Sequence, residues 1–342
     1  MKVLIVNSGS TSVKYSLFDD GELQEARIFD RKKAGMLLNE REYIRALAPD
    51  YLAFRVVHAK DKTQTRFLDE RTFLQIKEAS IYAPIHNKTA LEIMGFTLEE
   101  FGPDRNICIF DSDFHKDIPK RAYLYALPHE YTNKYHMRKY GFHGLAFESA
   151  LLELKQEIGY VPENIVAVHA GGGVSVCAIK NGKSVDTSMG ATPTDGVMML
   201  TRSGSVDPDL LTVLEKRENL LPSELSRILN FESGFYGMTG SKDTKEIIDK
   251  AKAGEEPFAS AYELFLYQIK KLVFAYFGVL GALDVLLLSG GLAFKNEYFA
   301  DDLHRELKSI PLRKDQVIKV DIDENKLMLK KTAELLNAAK TQ

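Results

Sequence analysis

A chain of 342 residues is long enough for two domains, each with its own buried core. Its 45 basic and 48 acidic residues leave a formal charge of -3, and 45% hydrophobic content is ordinary for a globular protein. That balance argues against nucleic-acid and anionic-membrane partners, which recruit a basic surplus.

The chain opens on a buried strand, Val3-Leu-Ile-Val6, which runs into Asn7-Ser-Gly-Ser-Thr-Ser12, then Lys14 and a second alternating strand. Four apolar residues before Asn7 are too few for a signal peptide. Hydroxyls, an amide, free N–H groups around Gly9 and a nearby lysine can together wrap anionic oxygens. The same residues also suit the tight turn of a β-hairpin, so both readings stand at this point. Further strands are predicted at 51–58, 106–111 and 184–187. Asn87 reads as the N-cap of a helix over 88–96, and helices are predicted over 147–157 and 209–218. Over 261–280, Phe265, Ile269, Leu272, Val273 and Tyr276 share one face, while Glu263, Lys270 and Lys271 interrupt the apolar run. That is a core helix and not a membrane span. Cys108 and Cys177 sit in apolar runs without ligand or disulfide spacing, as buried thiols of a reducing compartment do. Charge-rich stretches at 30–33 and 242–252 read as solvated faces.

The opening unit has an echo. Ile165-Val-Ala-Val-His-Ala-Gly-Gly-Gly173 and the strand after it repeat the order strand, small-residue turn, strand. His169 takes the position of Asn7, Gly171 that of Gly9, and Asn181-Gly182 that of the hairpin signal Asp20-Gly21. A third strand-to-glycine turn follows at Val285-Leu-Leu-Leu-Ser-Gly-Gly291. The offset predicts two similar α/β domains. Between the turns lie Phe54-Arg-Val-Val-His58, Ala83-Pro-Ile-His-Asn87, Ile109-Phe-Asp-Ser-Asp-Phe-His115, Tyr140-Gly-Phe-His-Gly144 and Thr201-Arg-Ser-Gly204. Each alone is ordinary, since a lone histidine or arginine is more often structural than catalytic. Arginines, histidines, strand-end carboxylates and three glycine turns together suit phosphoryl transfer, where catalysis is positioning and charge neutralisation.

On these segments, together with Asn181-Gly-Lys-Ser-Val-Asp-Thr-Ser-Met-Gly190 and Thr192-Pro-Thr-Asp-Gly196, the chain resembles the acetate kinase family. The resemblance implies two duplicated actin-like, ribonuclease H-like domains of order βββαβαβα facing a central cleft, usually in a homodimer. It implies domains at 1–113 with 326–342 and at 114–325. Asn7, Asp111 and Glu324 then correspond to the site of Mg²⁺ or Mn²⁺, and Ser10, Ser12 and Lys14 to the phosphate loop. His169, Gly171, Gly172, Gly173, Asp243, Gly290 and Gly291 correspond to nucleotide contacts. Arg55, Asp111, His143 and Arg202 correspond to catalytic residues, the two arginines also binding the acid. His86 flanks His143, and Val57, Ile85, Phe142 and Pro193 correspond to the pocket for the acid's alkyl end. The implied reaction is ATP plus acetate giving ADP plus acetyl phosphate, in the cytoplasm.

The chain also departs from the family pattern. Ala59 and Lys60 replace two glycines, Gly172 replaces a loop asparagine, and the third turn reads Gly290-Gly-Leu-Ala-Phe-Lys-Asn296. Asp321-Ile-Asp-Glu-Asn-Lys326 has Glu324 one position early for the family's metal-linked glutamate. These departures leave two other readings: a carboxylate kinase using pyrophosphate, propionate or butyrate, and a nucleotide-binding relative with little catalysis.

Overall fold

The computed structural model describes residues 1–9, 12–30, 36–60, 63–82 and 84–341, with backbone alone at 36, 37, 84–86 and 88. Contacts divide the chain into one compact unit of Met1–Lys116 with Asp323–Gln342, and a second of Asp117–Ile322. The divisions fall at 116 and 322, against 113 and 325 from the sequence, so Glu324 lies with the first unit.

In the first unit, β1 (Lys2–Ser8), β2 (Ser12–Asp19) and β3 (Glu22–Asp30) form an antiparallel meander. Asp20 and Gly21, at φ 47° and 90°, turn β2 into β3 with the positive φ that a tight hairpin demands. β4 (Tyr51–Val56) and β6 (Asn106–Phe110) lie parallel to β1, and β5 (Arg66–Phe67) pairs antiparallel with β6. The order is β3-β2-β1-β4-β6-β5. Leu4, Val6, Tyr15, Phe54, Cys108 and Phe110 of the sheet join Ile44, Ile93 and Met94 of the helices in one core. Crossing from one parallel strand to the next needs a covering segment, and helices Met36–Leu47, Glu70–Ala79 and Pro84–Phe101 occupy these connections.

In the second unit, β7 (Asn164–Ala170), β8 (Val174–Lys180) and β9 (Lys183–Thr187) repeat the meander, turning at Asn181-Gly182 with φ 51° and 74°. β10 (Val285–Ser289) and β11 (Val317–Lys319) continue it in parallel, so the order β9-β8-β7-β10-β11 matches β3-β2-β1-β4-β6. Helix Phe258–Leu280 buries Phe265, Ile269, Val273 and Tyr276, while Leu272 is half-buried. Both cysteines are buried free thiols. Among the described residues no helix is long and apolar enough to cross a membrane.

Two expectations change. Asn87 is not an N-cap: the helix begins at Pro84, whose fixed φ suits a first helical position. The Asn87 amide instead donates to the carbonyls of His58 (2.8 Å) and Ile76 (3.3 Å). His58, grouped above with reactive residues, is a core residue with no exposed surface. It stacks on Tyr82 with centroids 5.1 Å apart, and its Nδ1 accepts the Lys60 N–H at 3.0 Å.

Burial, and secondarily the Lys60 charge, pushes the His58 imidazole down to about 3 from an ordinary 6.5. The fold therefore favours the neutral ring. The stability this provides is complete above pH 6.5 and is lost as pH falls from there toward 3. We expect urea midpoints to fall between pH 6.5 and 4, with His58 contributing up to about 1.4 kcal/mol per pH unit. A His58→Phe variant should lose that part of the slope; an unchanged slope would contradict the assignment.

Candidate active site

Parallel strands deliver their C-terminal ends to one edge of a sheet, and ligands of open α/β sheets bind there. In the first unit Asn7 is near the end of β1, Arg55 near the end of β4, and Asp111 directly follows β6. The register pairs Val6 with Phe54 and Arg55 with Ile109, which makes Asn7, Arg55 and Asp111 neighbours across three strands. Glu324 joins them from the first turn of helix Glu324–Lys340, which Asp323 caps by accepting the Asn325 and Lys326 N–H groups.

Arg55 sits at the centre of this group. Its Nη2 donates to Asp111 Oδ2 at 2.7 Å, and its Nη1 donates to Asn7 Oδ1 at 3.2 Å and lies 3.3 Å from Glu324 Oε2. Burial opposes the guanidinium charge, but Asp111 and Glu324 outweigh it and hold Arg55 above its ordinary pKa. Glu324 is pushed up, first by burial and also by Asp111, against the opposing pull of Arg55 and an Asn7 hydrogen bond. Asp111 Oδ1 is buried without a hydrogen-bond partner among the described residues. Two carboxylates against one guanidinium leave this pocket short of positive charge. A buried carboxylate oxygen with a lone pair to spare suits a divalent cation.

The opening turn is a hairpin: Gly9 N–H donates to Ser12 O at 2.9 Å, and Lys14 stands exposed opposite Asn7 in the register. Ser10 lies outside the described residues, as do the side chains of Ile85 and His86; Val57 is buried.

In the second unit, His143 stands at φ 58° before helix Gly144–Ile158, and its Nδ1 is 2.9 Å from Ser175 Oγ. His169 lies against it, ring centroids 4.8 Å apart, with its own Nδ1 3.2 Å from Ser289 Oγ. Gly173 has to be glycine, because a Cβ there would come within 2.9 Å of His143 Nε2 and 3.5 Å of Arg202 Nη1. Arg202 Nη1 in turn donates to Pro193 O at 3.1 Å. Gly171 N–H closes the turn onto Gly173 O at 2.9 Å, and the Gly291 nitrogen lies beside Gly171. Gly290, at φ 88°, has Ala170 O 2.6 Å from where its Cβ would stand. A Cβ at Gly172 would meet nothing within 4 Å.

His143, His169, Gly171, Gly173, Pro193, Arg202, Gly290 and Gly291 are thus one neighbourhood around two glycine turns. Phe142 is buried, and Asp243 caps helix Thr244–Lys252 by accepting the Lys245 and Glu246 N–H groups. Two contributors went unnoticed in the sequence. One is the pair of serines holding the histidines, each a buried hydroxyl in an apolar strand. The other is a small network around Gly190, which Tyr125 Oη and Asp195 Oδ2 both approach. In it Ser205 Oγ donates to Asp195 Oδ1 at 2.6 Å, while Tyr125 Oη accepts the Ala191 N–H at 2.9 Å.

Comparison with known proteins shows the family. The sequence pattern of the acetokinase family matches residues 32–336. Acetate kinase of Helicobacter acinonychis is 34% identical over 332 residues, covering 85% of this chain and 83% of its own. The crystal structure of Porphyromonas gingivalis acetate kinase matches at a TM-score of 0.83 and 29% identity, over 98% of this chain and 99% of that one. A propionate kinase from Francisella tularensis, 24% identical, shares the fold at a TM-score of 0.85 over 96% and 98% of the two chains. With its sheets, its turns and its near-complete coverage by these relatives, the chain belongs to the acetokinase family.

Proposed function

We propose that this protein is an acetate kinase-type phosphotransferase, moving the γ-phosphoryl group of ATP to a short carboxylate, acetate first, and running reversibly. The observation that supports it best is the side-chain-free Gly173 turn flanked by His143 Nε2 and Arg202 Nη1, two nitrogens that converge on one spot within hydrogen-bonding reach of an oxygen. A carboxylate oxygen of the acid attacks the γ-phosphorus, and the bond from phosphorus to the β,γ-bridging oxygen breaks. ADP leaves with that electron pair, and no proton need move.

Because the transferring group spreads its charge over three equatorial oxygens, the chain's task is neutralisation and alignment. Arg202 presents a planar fork suited to phosphoryl and carboxylate oxygens. His143 donates beside it, and the N–H groups of Gly172, Gly173, Gly290 and Gly291 hold the donor's phosphates. Arg55 orients Asp111 and Glu324 and is the second guanidinium offered to the reacting groups. Asn7, Asp111 and Glu324 would hold Mg²⁺ or Mn²⁺, which supplies charge neutralisation on the nucleotide phosphates. The partnerless Asp111 oxygen and the raised Glu324 carboxyl support that fit. Val57 and Pro193 would contribute to the alkyl pocket, one methylene of which is worth about 1–3 kcal/mol of discrimination.

The reading extends to a cytoplasmic homodimer. Helices Pro208–Glu218 and Pro222–Phe231 bury none of their residues and expose Leu210, Val213 and Phe231, with Leu221 exposed between them, which favours a covering partner. A second reading, a donor such as pyrophosphate, is favoured by Gly172, where the site has space for a side chain and offers none.

Three outcomes are expected. Arg202→Ala should lower kcat/KM at least about 10²-fold in a hydroxamate assay with acetate, ATP and Mg²⁺, as the loss of one transition-state donor does. Activity at the wild-type level would refute the assigned role. Asp111→Asn should raise the Mg²⁺ concentration for half-maximal rate about 10- to 100-fold. An unchanged metal requirement would remove Asp111 from the metal site. A panel of ATP and pyrophosphate against acetate, propionate and butyrate should give the highest kcat/KM for ATP with acetate. A clear pyrophosphate preference would establish the second reading.

A further inference from the structure

We infer that Ser175 is a positioning residue that holds His143 as the neutral imidazole with its proton on Nε2, aimed at the Gly173 turn. Ser175 lies in β8 with no exposed surface, and His143 Nδ1 at 2.9 Å is the single hydrogen-bond partner of its hydroxyl among the described residues. A buried hydroxyl spends its proton on an acceptor when one is in reach, because leaving it unpaired forfeits the desolvation cost. Nδ1 is that acceptor, so it carries the lone pair and the ring's proton sits on Nε2.

The opposite face of the ring confirms the geometry. Nε2 and Cε1 of His143 both approach the vacant Cβ direction of Gly173, the side on which Arg202 Nη1 also lies. A neutral ring avoids a second full charge beside that guanidinium, yet still offers an N–H. Strand pairing explains the choice of residue. Ser175 faces His169 in the β7–β8 register, so a β8 side chain at this position reaches the turn without lengthening the loop. Ser289, buried at the end of β10, repeats the arrangement on His169 Nδ1 at 3.2 Å.

The catalytic consequence rests on the proposed phosphoryl transfer; the tautomer does not. We would label the full-length chain with [15N]histidine, record two-bond ¹H–¹⁵N correlations, and assign the His143 ring against His143→Gln. A non-protonated Nδ1 and a protonated Nε2 are expected in the wild-type protein, and a protonated Nδ1 overturns the inference without any serine variant. Ser175→Ala should then lower kcat about five- to tenfold, the size of one lost hydrogen bond, with the KM for acetate changed less than about twofold. Ser175→Thr, which keeps the hydroxyl, should recover most of that loss. A Ser175→Ala enzyme with wild-type kcat, or one whose KM rises while kcat holds, overturns the positioning role. A wild-type protein that shows the Nε2–H ring but forms no acyl phosphate refutes the kinase reading and leaves the serine–histidine assignment standing.

Discussion

The first unit is organised around one buried guanidinium. Arg55 touches Asn7, Asp111 and Glu324, which come from the start of the chain, its second hundred residues and its last twenty. Removing charges from water costs several kcal/mol per ion, so such a group persists only when every member has a partner. That requirement explains the details around it: the parallel register that sets Asn7 beside Arg55, the Asp111 N–H anchored on Val56 O at 2.9 Å, and the Asp323 cap that presents Glu324. The group nonetheless sets two carboxylates against one guanidinium, and Asp111 Oδ1 has no hydrogen-bond partner among the described residues.

The second unit uses the same location for different chemistry. β7 and β10 pair His169 with Ser289 at the position where β1 and β4 set Asn7 beside Arg55. One copy answers with an arginine held by carboxylates, the other with a histidine–serine contact beside glycine turns. The same sheet edge thus supplies two environments, one rich in ionised side chains and the other built around glycine turns.

Periodic and turn-forming residues made the architecture readable from sequence. Apolar strands, the Asp20-Gly21 and Asn181-Gly182 hairpins and the glycine turns all appear where their residue types demand. The ends of elements were harder, as Pro84 shows by starting its helix ahead of Asn87. Side-chain roles divided along a physical line. Charged residues at strand ends, such as Arg55 and Asp111, announce themselves because burial without purpose is costly. His58 carries the same letter as His143, and only stacking on Tyr82 and full burial mark it as structural. Asp243, which the resemblance assigns to nucleotide contacts, caps the helix that follows it, a role its position just ahead of that helix made available. Ser175 and Ser289 were invisible because a serine in a strand carries no signal until a histidine is found opposite it.

The first unit is discontinuous: residues 117–322 are spliced into it, and its final helix belongs to the chain's last stretch. The second unit is a single run and can assemble from neighbours as it is synthesised. The first cannot complete its Arg55 cluster until Glu324 has emerged, because the contacts of Glu324 with Arg55 and Asn7 span most of the chain and have the highest loop-closure cost in the group. A chain truncated before residue 324 leaves a buried arginine with one acidic partner in place of two.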